Sequence, residues 1–428
     1  MCTSTTPTDA YRGAGRPEAT FLVERLMDKA ADALNMDPVE FRRKNLIPKF
    51  EDGHTVALGI VYDSGDYEPA LDKALAMAGY SDFRKEQEQA RQEGRYLGIG
   101  VTTYSEICGL GPSQVAGAVG FQAGLWESAI VRVSPTGKVQ AMIGASPHGQ
   151  GEETTFAQLI SSEIGVPVDD VEIVHGDTNR TPMGWGTYGS RTTPVAGAAL
   201  IKATRKIKEK ARIMAAHLLE AAVEDIDYED GKFFVKGSPD NFKTIQDATL
   251  LATVAWDMPE GLDPGMEASQ FYDPPNFVYP FGAHIAIVEV DPETGKIDLL
   301  KYVAVDDCGP QINPVIVAGQ IHGGVIQGLG QAMCEGAVYD DNGQLLTGSM
   351  LDYTMPRADM FPKIELDHTV TPSPHHPIGV KGVGETGTIA STPTLYNAVI
   401  DALRPFNVEQ IEMPLTSHRV WSAIQANA

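Results

Sequence analysis

Trp126–Ala145 reads WESAIVRVSPTGKVQAMIGA, and His284–Asp306 reads HIAIVEVDPETGKIDLLKYVAVD. Both stretches have one plan. An apolar strand meets a tight turn, Pro135-Thr136-Gly137-Lys138 or Asp291-Pro292-Glu293-Thr294-Gly295-Lys296, and a second apolar strand follows. That pattern predicts two β-hairpins. Each then runs into a Gly/Gln loop and a helical stretch, which predicts an internal duplication of a hairpin–loop–helix unit. The alternative is coincidence, because P-x-T-G-K is a common hairpin turn.

Outward from the hairpins, 17–35 reads as an amphipathic helix, with Pro17 at its start and Leu22, Leu26, Ala30, Ala33 and Leu34 on one apolar face. Asp37-Pro38-Val39-Glu40 reads as a capped helix start. Residues 66–94 predict two charged helices ending near Gly94, and 96–105 a strand. Val195–Ala222 is a long helix whose basic middle reads as a solvated face. Thr244–Asp247 resembles a capping box. The Pro-, Gly- and aromatic-rich 257–280 reads as a surface loop, and Ser391–Leu403 as a final helix with Pro393 near its start.

Lys+Arg number 33 and Asp+Glu 57, a formal net charge of −24. That charge repels phosphate and argues against a nucleic-acid or anionic-membrane partner. No apolar run reaches the ~18 residues a membrane span needs, and Met1–Arg16 lacks the pattern of a secretory signal. These features are expected of a cytoplasmic protein. Cys2, Cys108, Cys308 and Cys334 are too scattered for an iron–sulfur or zinc site and are expected as reduced thiols, mostly buried.

Glycine, 43 of 428 residues, clusters in loops. Ala10–Arg16, His148–Thr155, Gly176–Thr193 and Gly379–Gly387 stand out, and the last three each open a helix. Glycines at a helix N-terminus let backbone N–H groups approach an anion. Singly each loop is only a turn and cap; together they point to a large phosphate-bearing cofactor. Gly184/Gly186/Gly189 and Gly382/Gly384/Gly387 match G-x-G-x-x-G but lack the strand–helix–strand context of a dinucleotide site. Glu385, an acid held between glycines, is either a helix N-terminal charge or a general base; its spacing allows both.

Gly149-Gln150-Gly151, Thr187–Pro194 (TYGSRTTP), Asp307–Gln327 (DCGPQINPVIVAGQIHGGVIQ) and Lys381–Gly387 (KGVGETG) together resemble the molybdenum-cofactor-binding large subunit of the xanthine oxidase family. The nearest likeness is to aerobic carbon monoxide dehydrogenase-like large chains, over essentially the whole sequence. The resemblance implies an α+β fold, with mixed sheets, flanking helices and the duplication above. It implies residues 1–94 as the C-terminal part of a first molybdopterin-binding domain and 95–428 as a second.

It further implies a molybdopterin cofactor, usually the cytosine dinucleotide form, with molybdenum held by the pterin and not directly by the protein. The family chemistry is hydroxylation of a small organic substrate, such as an aldehyde or N-heterocycle, with water-derived oxygen. By position in KGVGE, Glu385 is the implied base. Gly149, Gln150 and Gly151 are placed at the metal's oxo side. Thr187, Ser190 and Arg191 are placed on the pterin and its phosphates, and Gly189 also belongs to the implied cofactor set. Arg12, Gly13, Thr154, Gln320, Lys381, Gly382, Val383 and Gly384 complete the implied cofactor set, and Tyr11 and Ala14 the substrate pocket. Electrons are expected to leave through a 2Fe-2S small subunit and a FAD medium subunit.

Two departures qualify the resemblance. Gly13 stands where copper-dependent carbon monoxide oxidisers have Cys, which argues against a Mo–S–Cu centre. Ala14 stands where xanthine and aldehyde oxidisers often have Phe. The family's large chains are also about twice this length, and its Gly-Gly-Gly-Phe-Gly loop is absent here. The expectation is a split large subunit whose N-terminal half is a separate chain. The competing readings are a non-catalytic remnant acting as a structural partner and, on the G-x-G-x-x-G matches, an NAD-dependent dehydrogenase.

Overall fold

Glycine decides how the second half of the chain packs. A Cβ on Gly98 would lie 2.0 Å from Ala398 O, and one on Gly100 2.1 Å from Thr394 O. A strand and a helix backbone therefore lie in direct contact, which no side chain at these two positions would permit. The computed structural model describes residues 9–118 and 120–427; Cys2 and the rest of 1–8 lie outside them.

The chain opens with helices α1 (Arg16–Ala33) and α2 (Pro38–Asn45), a short ladder β1 (His54–Thr55) and β2 (Val61–Tyr62), and helices α3 (Tyr67–Ala78) and α4 (Tyr80–Gln92). Asp37 caps α2 through Val39 and Glu40 N–H groups. Strand β3 (Tyr96–Ser105) and short helix α5 (Ser113–Ala118) follow. Next come β4 (Glu127–Val133), β5 (Val139–Ile143), α6 (Glu152–Ile164) and β6 (Val171–Val174). A π-turn at Thr192–Gly197 leads into α7 (Ala198–Leu218). The meander β7 (Ile226–Glu229), β8 (Lys232–Val235) and β9 (Ser238–Thr244) ends in α8 (Ile245–Val254), entered through a Thr244/Asp247 capping box. The chain continues through β10 (Glu267–Tyr272), β11 (Phe281–Val290), β12 (Ile297–Asp307), α9 (Pro314–Met333), β13 (Ile364–His368), α10 (Thr386–Ala402) and α11 (Ser417–Asn427).

The two main sheets have one topology, in the orders β10-β4-β5-β6 and β3-β11-β12-β13. In each, a central antiparallel hairpin pairs antiparallel on one side and parallel on the other. The parallel partner arrives after a helix, α6 or α9. The duplicated hairpin–loop–helix unit is thus present, extended by one strand. Strand β11 is largely apolar on both faces because both are covered, His284 being a buried polar exception. Phe281, Ala283, Ile285 and Ile287 pack with α3, whereas Ala286, Val288 and Val290 pack under α9 and α10. The first sheet packs on α6, α7 and α8.

Four elements differ from the sequence reading. A strand, β10, crosses the stretch read as a loop over 257–280, paired with β4 from Glu267 to Tyr272. Helix α10 begins at Thr386, not Ser391, so Pro393 is interior and the whole helix is buried. It is not the last helix; α11 follows. On α1 the leucine face turns outward, with Leu22 62% and Leu26 57% exposed. Its Glu24 and Asp28 are buried instead, because both hold the buried Arg42 guanidinium.

Candidate active site

The duplicated topology sends the N-termini of α6, α9 and α10, and the π-turn before α7, toward one cavity of about 870 Å³. The loop 10–16 closes another wall through Ala10, Tyr11, Arg12, Ala14 and Arg16. All four glycine-rich segments singled out in the sequence contribute to the lining. Convergent helix N-termini make this volume favourable to anionic groups.

Glu385 is the N-cap position of α10 and lines the cavity. Its carboxylate is fixed from two directions. Gly13 N–H donates to Oε1 at 2.7 Å, and Arg16 Nη2 donates to Oε2 at 2.9 Å. The Ser190 hydroxyl accepts from Glu385 N–H at 3.1 Å and lies 3.4 Å from Oε2. Glu385 thus stands at a helix start and presents an oriented carboxylate to a cavity.

Arg12 clamps the same corner. Its Nε donates to Gly384 O, and its Nη2 to Gln320 O at 3.0 Å and Gln320 Oε1 at 3.1 Å. Tyr11, Arg12, Ala14, Gly149, Gln150, Thr187, Gly189, Ser190, Arg191, Gln320 and the run Lys381–Glu385 all line the cavity. Gln150 folds onto His148, accepting its N–H at 2.7 Å. Gly13 and Gly151 are not in the lining; Gly13 acts through its N–H, and Gly151 caps α6. Thr154 is exposed and outside the lining, where the next residue, Thr155, takes its place.

Two cationic side chains point away from the role implied for them. The Arg191 guanidinium is fully buried, paired with Glu127 and bonded to Gly186 O at 2.7 Å and Leu125 O at 2.6 Å. It cannot reach a phosphate without breaking that set, so the Arg191 side chain braces the loop. Glu127 completes the brace by accepting Trp185 and Gly186 N–H, each at 3.0 Å. Lys381 Nζ is likewise buried, donating to Tyr279 O at 3.0 Å and Ser64 O at 3.1 Å.

Sequence reasoning missed Glu106. It follows β3, is 0% exposed, and has both carboxylate oxygens without a hydrogen-bond partner. Burial pushes its carboxyl up to about 8; the neighbouring Arg16 opposes that rise and Glu385 adds to it. An acid at a strand end carries no motif, and only the packed structure reveals its isolation. Glu152, which lines the cavity at the start of α6, is also raised by burial. Cys108 and Cys308 are buried free thiols, both raised by burial. Neither G-x-G-x-x-G match has a strand directly before it. Among the described residues no group of three or more His, Cys, Asp or Glu forms a metal site, and no helix is long and apolar enough to cross a membrane.

Family models for a molybdopterin cofactor-binding domain match residues 1–46 and 73–362. The carbon monoxide dehydrogenase large chain of Hydrogenophaga pseudoflava is 45% identical, across 97% of this chain and 52% of that protein. The nicotine 6-hydroxylase large subunit of Paenarthrobacter nicotinovorans is 37% identical, across 98% and 51%. The crystal structure of Cu,Mo-CO dehydrogenase in its carbon monoxide reduced state superposes with a TM-score of 0.94 at 42% identity, covering 99% of this chain and 54% of that one. Quinoline 2-oxidoreductase from Pseudomonas putida 86 superposes at 0.92 with 37% identity, covering 98% and 53%. The chain therefore spans about half the length of the relatives it matches. The α+β fold, the duplicated sheets and the match over 73–362 agree: this chain belongs to the molybdopterin cofactor-binding domain family.

Proposed function

We propose that this chain is a catalytic portion of a molybdenum-dependent hydroxylase, an oxidoreductase that oxidises a small organic substrate with water-derived oxygen. The observation that carries the reading is Glu385, oriented by Gly13 and Arg16 at the edge of a cavity walled by helix N-termini. The donor set fits a pterin carrying phosphates. Gly149, Gln150, Thr187–Ser190 and Gln320, with their backbone, amide and hydroxyl groups, line a volume large enough for it. When bound, the molybdenum cofactor supplies the two-electron oxidising power.

The protein's own residues do the rest. Glu385 takes up a proton at its carboxylate, and the Gly13 N–H and Arg16 guanidinium hold that carboxylate in place before the proton arrives. Arg12 keeps the backbone of Gly384 and the Gln320 amide in register. Tyr11 and Ala14 border the substrate side. Gly13 offers no thiolate, which supports an aldehyde or N-heterocycle over carbon monoxide as substrate.

The fuller assignment rests on the family likeness. It comprises a cytosine dinucleotide on the pterin, domain portions 1–94 and 95–428, a cytoplasmic location, and partner chains carrying 2Fe-2S and FAD. The outward leucines of α1 and the exposed Met350 and Leu351 support a covering partner. The test is a substrate panel of aldehydes and N-heterocycles with the natively purified complex in heavy-oxygen water. Labelled oxygen in the product is expected; product oxygen drawn from dioxygen, or no turnover across both classes, overturns the proposal.

A further inference from the structure

One guanidinium serves two carboxylates beside the cavity. Arg16 Nη2 donates to Glu385 Oε2 at 2.9 Å, while Arg16 Nη1 lies 3.7 Å from Glu106 Oε1. The other Arg16 donors are already committed, Nε to Gly13 O at 2.7 Å and Nη1 to Ile107 O. Glu106 is thus near the charge but outside hydrogen-bond distance of it, and neither of its oxygens has a partner. A fully buried carboxylate whose nearest cation lies beyond hydrogen-bond distance is costly to ionise, whereas Glu385, at the cavity edge, has close donors on both oxygens.

We propose that Glu106 is a positioning residue for Glu385: it stays protonated behind Arg16, so that the single guanidinium charge is left to hold Glu385 aimed into the cavity. The inference rests on the reading of Glu385 as the base. Its physical content is that two carboxylates flanking one cation do not both ionise freely. The groups facing Glu106 are few. Arg16 comes from α1, Glu385 from the start of α10, Ser190 from the loop before α7 and Asp306 from β12. Arg12, and Tyr104 and Cys108 of its own segment, also interact with its charge. Arg16 and Ser190 favour the ionised form; burial, Glu385 and Asp306 oppose it, leaving the carboxyl at about 8. Above that pH, ionised Glu106 competes with Glu385 for Arg16.

Two measurements on the natively purified complex test this. The first is an infrared pH titration of wild type against Glu106→Gln, with Glu106→Asp as a second variant should Gln fold poorly. The expected result is a protonated-carboxyl band that titrates near pH 8 in wild type, disappears in Glu106→Gln and shifts in Glu106→Asp. That readout does not depend on turnover or on the role of Glu385. A band unchanged in Glu106→Gln overturns the proposal. The second is the pH profile of turnover. Wild type is expected to lose activity above about pH 8, as ionised Glu106 draws Arg16 away from Glu385, and Glu106→Gln, which cannot ionise, to lack that limb. A lost band with an unmoved limb also overturns it, by showing a buried acid with no hold on Glu385. If instead Glu385→Gln turns over normally, the base reading fails and the infrared result still stands.

Discussion

The backbone N–H of Gly13 lies 2.7 Å from Glu385 Oε1, joining residues 372 positions apart. Gly13 sits at φ +103, and a Cβ there would come within 2.4 Å of Pro17 Cγ. Both constraints exclude a side chain without movement of the loop. Gly13→Ala is therefore expected to displace its N–H from Glu385 and lower kcat by about ten-fold or more, since one well-placed hydrogen bond to a charged group contributes about 1.5–3 kcal/mol. Wild-type kcat in this variant would show that the contact is dispensable.

Glu385→Gln keeps the shape of the side chain and removes its basicity. Molybdenum content is expected to hold while turnover falls by about 100- to 10,000-fold. Steady-state kinetics beside metal analysis checks both halves. Unchanged turnover would remove Glu385 from the mechanism, and lost metal with lost turnover would make it a cofactor-retaining residue.

Arg191 and Glu127 form a buried ion pair that ties the loop 184–191 to the chain at Leu125. Arg191→Met leaves Glu127 charged and unpaired, at an expected cost of about 3–5 kcal/mol in urea unfolding. Cofactor content should fall with it, because the loop loses its brace. A role on phosphate without a structural one predicts the opposite pattern, lost cofactor at undiminished stability.

His376 is buried, accepts Ile378 N–H at its Nδ1 at 3.2 Å, and is held low, at about 4, chiefly by burial. In the unfolded chain it titrates near 6.5. The unfolded state thus binds more protons between those values, so stability is full above about pH 6.5 and is lost as pH falls toward 4. The loss from this residue is about 3 kcal/mol. His376→Gln should flatten the acid side of a stability-against-pH curve; an unchanged slope would assign the acid sensitivity elsewhere.

The hairpins were legible because turn chemistry and strand alternation are local. The glycine loops before α6, α7 and α10 were legible for the same reason. Their convergence was not a local property; it follows from the two sheets sharing one topology. Long-range packing also decided what the sequence misplaced. The α1 leucines looked like a core face, yet Arg42 draws Glu24 and Asp28 inward. Arg191 was implied as a phosphate ligand, yet buried Glu127 and backbone carbonyls take its charge. Strand β10 lies between Pro- and Gly-rich segments and is set by its pairing with β4, not by propensity. Glu106 gave no signal at all, since its meaning lies in the donors it lacks.

The central claim is that the cavity holds a molybdenum cofactor. Its most direct test is the molybdenum content of the natively purified protein, together with the identity of every chain that accompanies it. Near-stoichiometric molybdenum per chain, released with a pterin nucleotide on denaturation, is the predicted result. Protein purified with its partner chains from a cofactor-producing cell, yet free of molybdenum and unable to take up the cofactor on reconstitution, would contradict it.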